Sequence, residues 1–187
     1  MDNVRIGNRD VHNENPAEKL NYHGALNDTA NPLFGKNFGY PSCVAAWDAT
    51  LLGGSYRVGQ MFKPDGTPNA ATDCSAAQLP AAIFHSHTAP LDVKFTNDST
   101  VAYIAFHGSW NRNPPDGYRV ERVEFKGGKP VAPLSSQGAG VPIMENPSTG
   151  RCPNGCFRPV GLDFDSKGRL YMSSDSTGEI YVIYGAS

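Results

Sequence analysis

The clearest alternation of apolar and polar positions lies toward the C-terminal end. There Val160-Gly161-Leu162-Asp163-Phe164, Arg169-Leu170-Tyr171-Met172 and Ile180-Tyr181-Val182-Ile183 are divided by turn residues. Short runs rich in β-branched and aromatic side chains predict strands. Asp165-Ser166-Lys167-Gly168 and Asp175-Ser176-Thr177-Gly178 predict tight hairpin connections, each with a Gly where a positive φ is called for. An upstream copy begins at Pro90 with Leu91-Asp92-Val93-Lys94-Phe95, continues with Ala102-Tyr103-Ile104-Ala105-Phe106, and ends with Tyr118-Arg119-Val120-Glu121-Arg122-Val123. Pro90 and Pro159 stand 69 residues apart; the same offset pairs Phe95 with Phe164 and brings Tyr103 within one position of the match to Tyr171. Asn37-Phe38-Gly39-Tyr40-Pro41 and Ala45-Ala46-Trp47 suggest an earlier, more irregular copy in the first third.

Repeats of a strand, turn, strand, turn, strand unit at this period predict the blades of a β-propeller. Propellers close their rings with about 4–8 four-stranded blades, so about three copies leave the ring open. The expectation is an all-β chain carrying part of a propeller. Such a piece exposes unpaired strand edges and an apolar blade face. The alternative is a complete small β-sandwich.

Composition agrees and narrows the partners. The 187 residues include 20 Gly and 15 Pro, which favours frequent turning over long helices. Charged residues make up only 18% and the formal net charge is -2, which leaves no basic field for nucleic acid or an anionic membrane. No apolar run reaches the length of a membrane helix. Cys43, Cys74, Cys152 and Cys156 lack paired zinc-site spacing and predict two disulfides, the second across the Pro153-Asn154-Gly155 turn. Disulfides imply an oxidising compartment, and the sequons at Asn27 and Asn97 add mild support for secretion. Met1 is followed by Asp2-Asn3-Val4-Arg5, which is no signal-peptide core, so the expectation is that residues upstream of Met1 belong to the full polypeptide.

In a propeller, residues just before each inner strand gather at one mouth of the central channel. His85 and His87 precede Pro90, and Arg158 precedes Pro159. His107 follows the second strand of its repeat and leads into Gly108-Ser109-Trp110-Asn111-Arg112. Imidazoles, a guanidinium and an indole at one opening suit an anionic aromatic ligand, since Arg grips carboxylates bidentately and Trp offers a flat face. Singly, each residue has a plainer reading. A lone His near a strand end is usually a satisfied structural group, Arg158 has Asp163 or Asp175 as alternative partners, and Trp110 suits core or strand-edge cover. His85-x-His87 as a metal chelate on a strand ranks below ligand binding, because no third ligand is indicated by spacing.

These residues also carry a resemblance. His85-Ser86-His87-Thr88-Ala89-Pro90-Leu91, Ala105-Phe106-His107-Gly108-Ser109-Trp110-Asn111-Arg112 and Phe157-Arg158-Pro159-Val160-Gly161-Leu162 resemble the sorbosone dehydrogenase-like family, which includes the fungal quinone-dependent pyranose dehydrogenases. Asn15-Pro16-Ala17-Glu18 with Asn21, and Gly35-Lys36-Asn37-Phe38-Gly39-Tyr40-Pro41, extend the likeness over residues 4–184. The second of these motifs is also similar to the bacterial soluble glucose dehydrogenases. The resemblance implies a six-bladed propeller of which this chain is the C-terminal half, with pyrroloquinoline quinone and a calcium ion at the central mouth. It implies His107 as catalytic base, Arg158, His87, His85 and Trp110 around the quinone, and the segment Asn8–Glu14, through Asp10 and Asn13, near calcium. It further implies a sugar substrate and an external electron acceptor, either a haem domain or a redox partner protein, with no nucleic-acid or membrane partner. Two other functions compete: a carbohydrate-binding or scaffold propeller that has lost its cofactor, and a calcium-dependent propeller lactonase. The lactonase is disfavoured by the lack of a convincing cluster of inward Asp, Asn and Glu.

Overall fold

The structure, a computed structural model, describes residues 4–25, 27–65 and 74–186; Asp2 and Asn3 of the N-terminal stretch lie outside them. The described residues divide into two compact units, one reaching to Ser86 and including Pro133–Gln137, the other comprising His87–Ala132 and Gly138 onward. Among the described residues secondary structure is strand and turn, with three single-turn 3-10 segments, so the fold is all-β as the alternation predicts.

The first unit is built from short ribbons. β1 (Arg5–Ile6) pairs with β2 (Arg9–Asp10), β3 (Glu18–Leu20) with β6 (Ala82–Phe84), and β4 (Val44–Ala45) with β5 (Met61–Phe62), all antiparallel. Ladders of two or three residues supply few hydrogen bonds, and buried side chains and a cross-link stand in for them. Val4, Val11, Val44, Ala46, Leu52 and Phe62 form one core; Ala17, Cys43, Ala45, Met61 and Ile83 form another. Asn15, fully buried, donates Nδ2–H to the Asp48 carbonyl at 3.2 Å and accepts the Trp47 N–H at 2.9 Å, replacing ladder bonds with side-chain ones. The Cys43–Cys74 disulfide, with Cα atoms 5.7 Å apart, ties the unit across 31 residues.

The second unit contains the two regular sheets. β7 (Pro90–Phe95), β8 (Val101–Phe106), β9 (Arg119–Lys126) and β11 (Gly140–Glu145) form an antiparallel sheet in the order β7-β8-β9-β11, and the small β10 (Lys129–Pro130) extends from the end of β9. β12 (Pro159–Phe164), β13 (Leu170–Ser174) and β14 (Ile180–Ile183) form the second sheet in the order β12-β13-β14. The three strands expected of each repeat are present. β10 and β11 are additions that the alternation did not reveal, because Gly140, Pro142 and the polar neighbours of β11 blur its pattern. Both hairpin glycines behave as expected, with φ +76 at Gly168 and at Gly178.

The repeat is geometric as well as textual. Pro90 pairs with Phe106 and Pro159 with Ser174, and in each sheet the register shifts just after the leading proline. Proline is tolerated there because it opens an edge strand. The two sheets pack through Tyr103, Ala105, Val120, Leu162, Leu170, Met172 and Ala186. Leu170 and Met172 are fully buried, each worth about 2–3 kcal/mol of apolar burial. Two polar contacts fix the offset between the sheets: Asp92 accepts the Leu162 N–H at 2.7 Å, and Lys94 meets Asp163 at 2.8 Å. On its outer side β7 leaves Leu91, Val93 and Phe95 39–53% exposed, a row of large apolar side chains open to solvent.

Candidate functional site

The equivalence between the two sheets brings the strand-end residues together. His107 directly follows β8, and Arg158 directly precedes β12. Arg158 donates Nε–H to the His107 carbonyl at 3.3 Å and Nη2–H to the Gly108 carbonyl at 3.0 Å, and its guanidinium carbon lies 5.7 Å from the centre of the Tyr118 ring. Neither alternative carboxylate takes it: Asp163 is bound to Lys94, and Asp175 to His107. Arg158 is thus unclaimed by a carboxylate and partly exposed, with Nη1 free of hydrogen bonds among the described residues. An Arg held by two carbonyls, without a carboxylate, is prepared for an incoming anion.

His107 is held from both sides. Its N–H bonds the Ala89 carbonyl at 2.9 Å, and its Nε2 lies 3.0 Å from both carboxylate oxygens of Asp175. The imidazole is 18% exposed and its Nδ1 has no hydrogen-bond partner among the described residues. Asp175 sits in the β13–β14 turn, where Ser176 Oγ donates to the Cys156 carbonyl at 2.7 Å and Ser174 Oγ accepts the Arg158 N–H at 3.0 Å.

Beneath these groups lies a close-packed floor. Tyr118 is fully buried and its hydroxyl donates to the Ser109 carbonyl. Burial pushes its phenol upward from the ordinary tyrosine range, against the counteracting charge of Arg158. The Tyr118 backbone takes φ +56, a left-handed conformation uncommon for a bulky residue. Gly108, at φ +100, passes so near the ring that a Cβ there would lie 2.4 Å from its carbons. The Cys152–Cys156 disulfide, with Cα atoms 5.3 Å apart, packs on the same tyrosine.

The remaining sequence candidates are placed as follows. Trp110 lies on the bend after His107 and is 72% exposed, so it is not core. His87 takes φ +59 beyond the end of β6, so His85 and His87 do not lie on a strand and the strand chelate is corrected. The chain turns at Ser86–His87, between the end of β6 and the start of β7. His85 belongs to the first unit, where Nε2 meets Glu14 Oε2 at 3.1 Å and the ring stands 5.0 Å from that of Trp47. Asp10 Oδ1 accepts the His12 N–H at 2.9 Å, and Asn13 donates Nδ2–H to Glu14 Oε1 at 3.2 Å. No group of three or more His, Cys, Asp or Glu able to hold a metal gathers among the described residues.

Sequence reasoning missed Asp175, treating it as a turn residue or a partner for Arg158. The repeat held the signal. Since Phe106 and Ser174 are equivalent, the residues that follow them, His107 and Asp175, are equivalent too, and they face one another from adjacent sheets. Tyr118 also escaped notice, since nothing in the pattern marks a strand-initial aromatic as the floor of a site.

Residues 1–186 match the TrAA12-like family. The chain is 43% identical over 180 residues to a pyrroloquinoline quinone-dependent sugar dehydrogenase of Hypocrea jecorina, covering 93% of this chain and 40% of that protein. It is 40% identical over 193 residues to a pyrroloquinoline quinone-dependent pyranose dehydrogenase of Coprinopsis cinerea, covering 94% of this chain and 26% of that one. A calcium structure of a Trichoderma reesei carbohydrate-active enzyme of family AA12 superposes with TM-score 0.91 at 43% identity, over 97% of this chain and 46% of that one. The holo pyrroloquinoline quinone domain of the Coprinopsis cinerea pyranose dehydrogenase gives 0.82 at 36% identity, over 97% and 48%. The chain thus spans less than half the length of these relatives.

Proposed function

Because the chain belongs to the TrAA12-like family, we propose that it is part of a secreted oxidoreductase that oxidises a sugar hydroxyl with pyrroloquinoline quinone. The observation that carries this reading is the pairing of Arg158, charged and unclaimed by any carboxylate, with His107, held at Nε2 and open at Nδ1. Pyrroloquinoline quinone is a flat, tricarboxylated acceptor. It fits this donor set: Arg158 for a carboxylate, and the exposed Trp110 indole for the ring plane. When bound, it supplies a two-electron acceptor for hydride.

His107 takes the sugar hydroxyl proton at Nδ1, and an imidazole suits that role near neutral pH. Arg158 binds and orients the quinone and holds the His107 and Gly108 carbonyls in place. His87 and Trp110 complete this reading within the second unit. On the family likeness His85 is assigned to the same cofactor, and Asp10 and Asn13 to calcium. Calcium would have to draw further ligands from backbone carbonyls or from other parts of the polypeptide, since the described carboxylates and imidazoles form no cage. The electron acceptor that reoxidises the quinone is external, a haem domain or a redox protein. Two disulfides suit a secreted protein.

The ring is six-bladed and this chain forms its C-terminal half. Coverage of 40% of the Hypocrea jecorina protein and of 46–48% of the two solved chains supports a part-ring reading, as do the exposed apolar residues of β7, which further blades would cover. These 187 residues alone should therefore bind quinone weakly and oxidise no sugar, while the full polypeptide with quinone and calcium reduces a dye in the presence of pyranoses. Absence of sugar-dependent dye reduction, with quinone shown to be bound, would overturn the assignment.

A further inference from the structure

We infer that Asp175 is the positioning residue for His107: by accepting the Nε2–H it holds the imidazole in the tautomer whose Nδ1 carries the lone pair. The inference rests on the reading in which His107 is the base. Both carboxylate oxygens of Asp175 stand 3.0 Å from Nε2, within normal hydrogen-bond range. This carboxylate is reserved for the imidazole. Asp163 is bound to Lys94, Asp165 to Arg169 and Asp116 to Arg119, whereas Asp175 has no cationic partner besides His107 among the described residues.

The frame on either side is fixed independently of the pair. His107 is tied through its backbone to Ala89 and Arg158; the turn carrying Asp175 is tied through Ser176 to Cys156 and through Ser174 to Arg158. Arg158 is therefore common to both sides. A change that separated the two sheets would break the imidazole–carboxylate contact and disturb the guanidinium at once.

The chemistry explains why a carboxylate is useful there. The sugar O–H bond breaks and its proton goes to His107 Nδ1. The C–H hydrogen would leave with its electron pair as hydride, for which bound quinone would be the two-electron acceptor, and the carbon and oxygen so freed form the C=O bond of the oxidised sugar. His107 becomes a cation as this happens, and Asp175 stabilises the charge at the moment it develops, an interaction stronger in the transition state than in the ground state. Without Asp175, the neutral ring is free to carry its proton on Nδ1, where it cannot act as a base.

The test uses the full polypeptide labelled with 15N at histidine, without quinone, and long-range proton–nitrogen spectra, with the His107→Gln variant identifying the resonance. In the wild type, neutral His107 should be protonated at Nε2 alone. In Asp175→Ala, and in Asp175→Asn as a second variant should the first fail to fold, the Nδ1-protonated form should appear. Turnover should fall roughly tenfold to a hundredfold, within the usual reach of acid–base catalysis, while KM and quinone affinity stay within about twofold. Adding Asp175→Ala to His107→Ala should cost nothing further. An unchanged tautomer in both variants, or a turnover loss matched by lost quinone binding, overturns the inference. Failure of the sugar-oxidation reading is distinct: it appears as an inactive wild type or an active His107→Ala, whatever the spectra show.

Discussion

The two compact units meet the same demand, holding an imidazole against a carboxylate, by different physical means. In the second unit His107 and Asp175 follow the second strands of two regular sheets, so ladders of four or more paired positions set their approach. In the first, His85 follows a three-residue strand and Glu14 closes a single 3-10 turn. The separations are nearly equal, 3.0 and 3.1 Å, but the structure behind them is not. Where backbone ladders are long, placement is a property of the sheet. Where they are short, it depends on individual buried groups such as Asn15 and on the covalent tie between Cys43 and Cys74.

The two disulfides offer the strongest way to break this comparison. Closing a loop of 31 residues restricts the unfolded chain far more than closing one of 4. The chain-entropy relation gives about 3.7 kcal/mol for the first and about 1.9 for the second. Replacing Cys43 and Cys74 by Ala in the full polypeptide should therefore lower stability by about 3–4 kcal/mol, and amide exchange should rise first in the short ribbons. Replacing Cys152 and Cys156 should cost about half as much and be felt at the Tyr118 floor. Equal losses of protection in both units after the first change would show that the ribbons do not depend on their cross-link.

A smaller effect tests the regular unit from within. Gly108→Ala puts a Cβ at 2.4 Å from the buried Tyr118 ring, on a backbone at φ +100 that alanine adopts poorly. Overpacking and the unfavourable φ together should cost about 3 kcal/mol, measured by denaturant unfolding. Because Arg158 bonds the Gly108 carbonyl, quinone affinity should weaken in the same variant. A stability within about 0.5 kcal/mol of wild type would show that the floor yields easily and that the sheets do not transmit its position to the site.

The same contrast explains what the sequence revealed. The second unit was legible because its alternation and its 69-residue offset are consequences of the sheets themselves: β7, β8, β12, β13 and β14 appear where expected, and His107 and Arg158 meet. The first unit was not, since two-residue ribbons leave no periodic trace and Asn15 looks like any polar residue until its burial is known. Asp175 falls between the cases. Its position was implied by the repeat, but its partner is an acid–base match across sheets, which strand periodicity does not encode.

The smallest effect concerns the contact that sets the offset between the sheets of the second unit. The Lys94 side chain, through its hydrogen bond and its charge, holds the Asp163 carboxyl below the usual carboxylate range, and Asp163 raises Lys94 in turn. A carboxyl whose folded value is depressed stabilises the fold above its unfolded value of about 4. That contribution is lost as pH falls through the lower, folded value. Asp163→Asn should therefore lower the melting temperature slightly at pH 7, and the gap from wild type should narrow below about pH 4 and close in stronger acid. Since both partners are substantially exposed, salt should shrink the gap at neutral pH. A gap that persists in strong acid would assign the effect to packing of Asp163 rather than to its charge. The alignment of the sheets would then rest on the apolar layer and on Asp92, whose hydrogen bond to Leu162 spans the same interface.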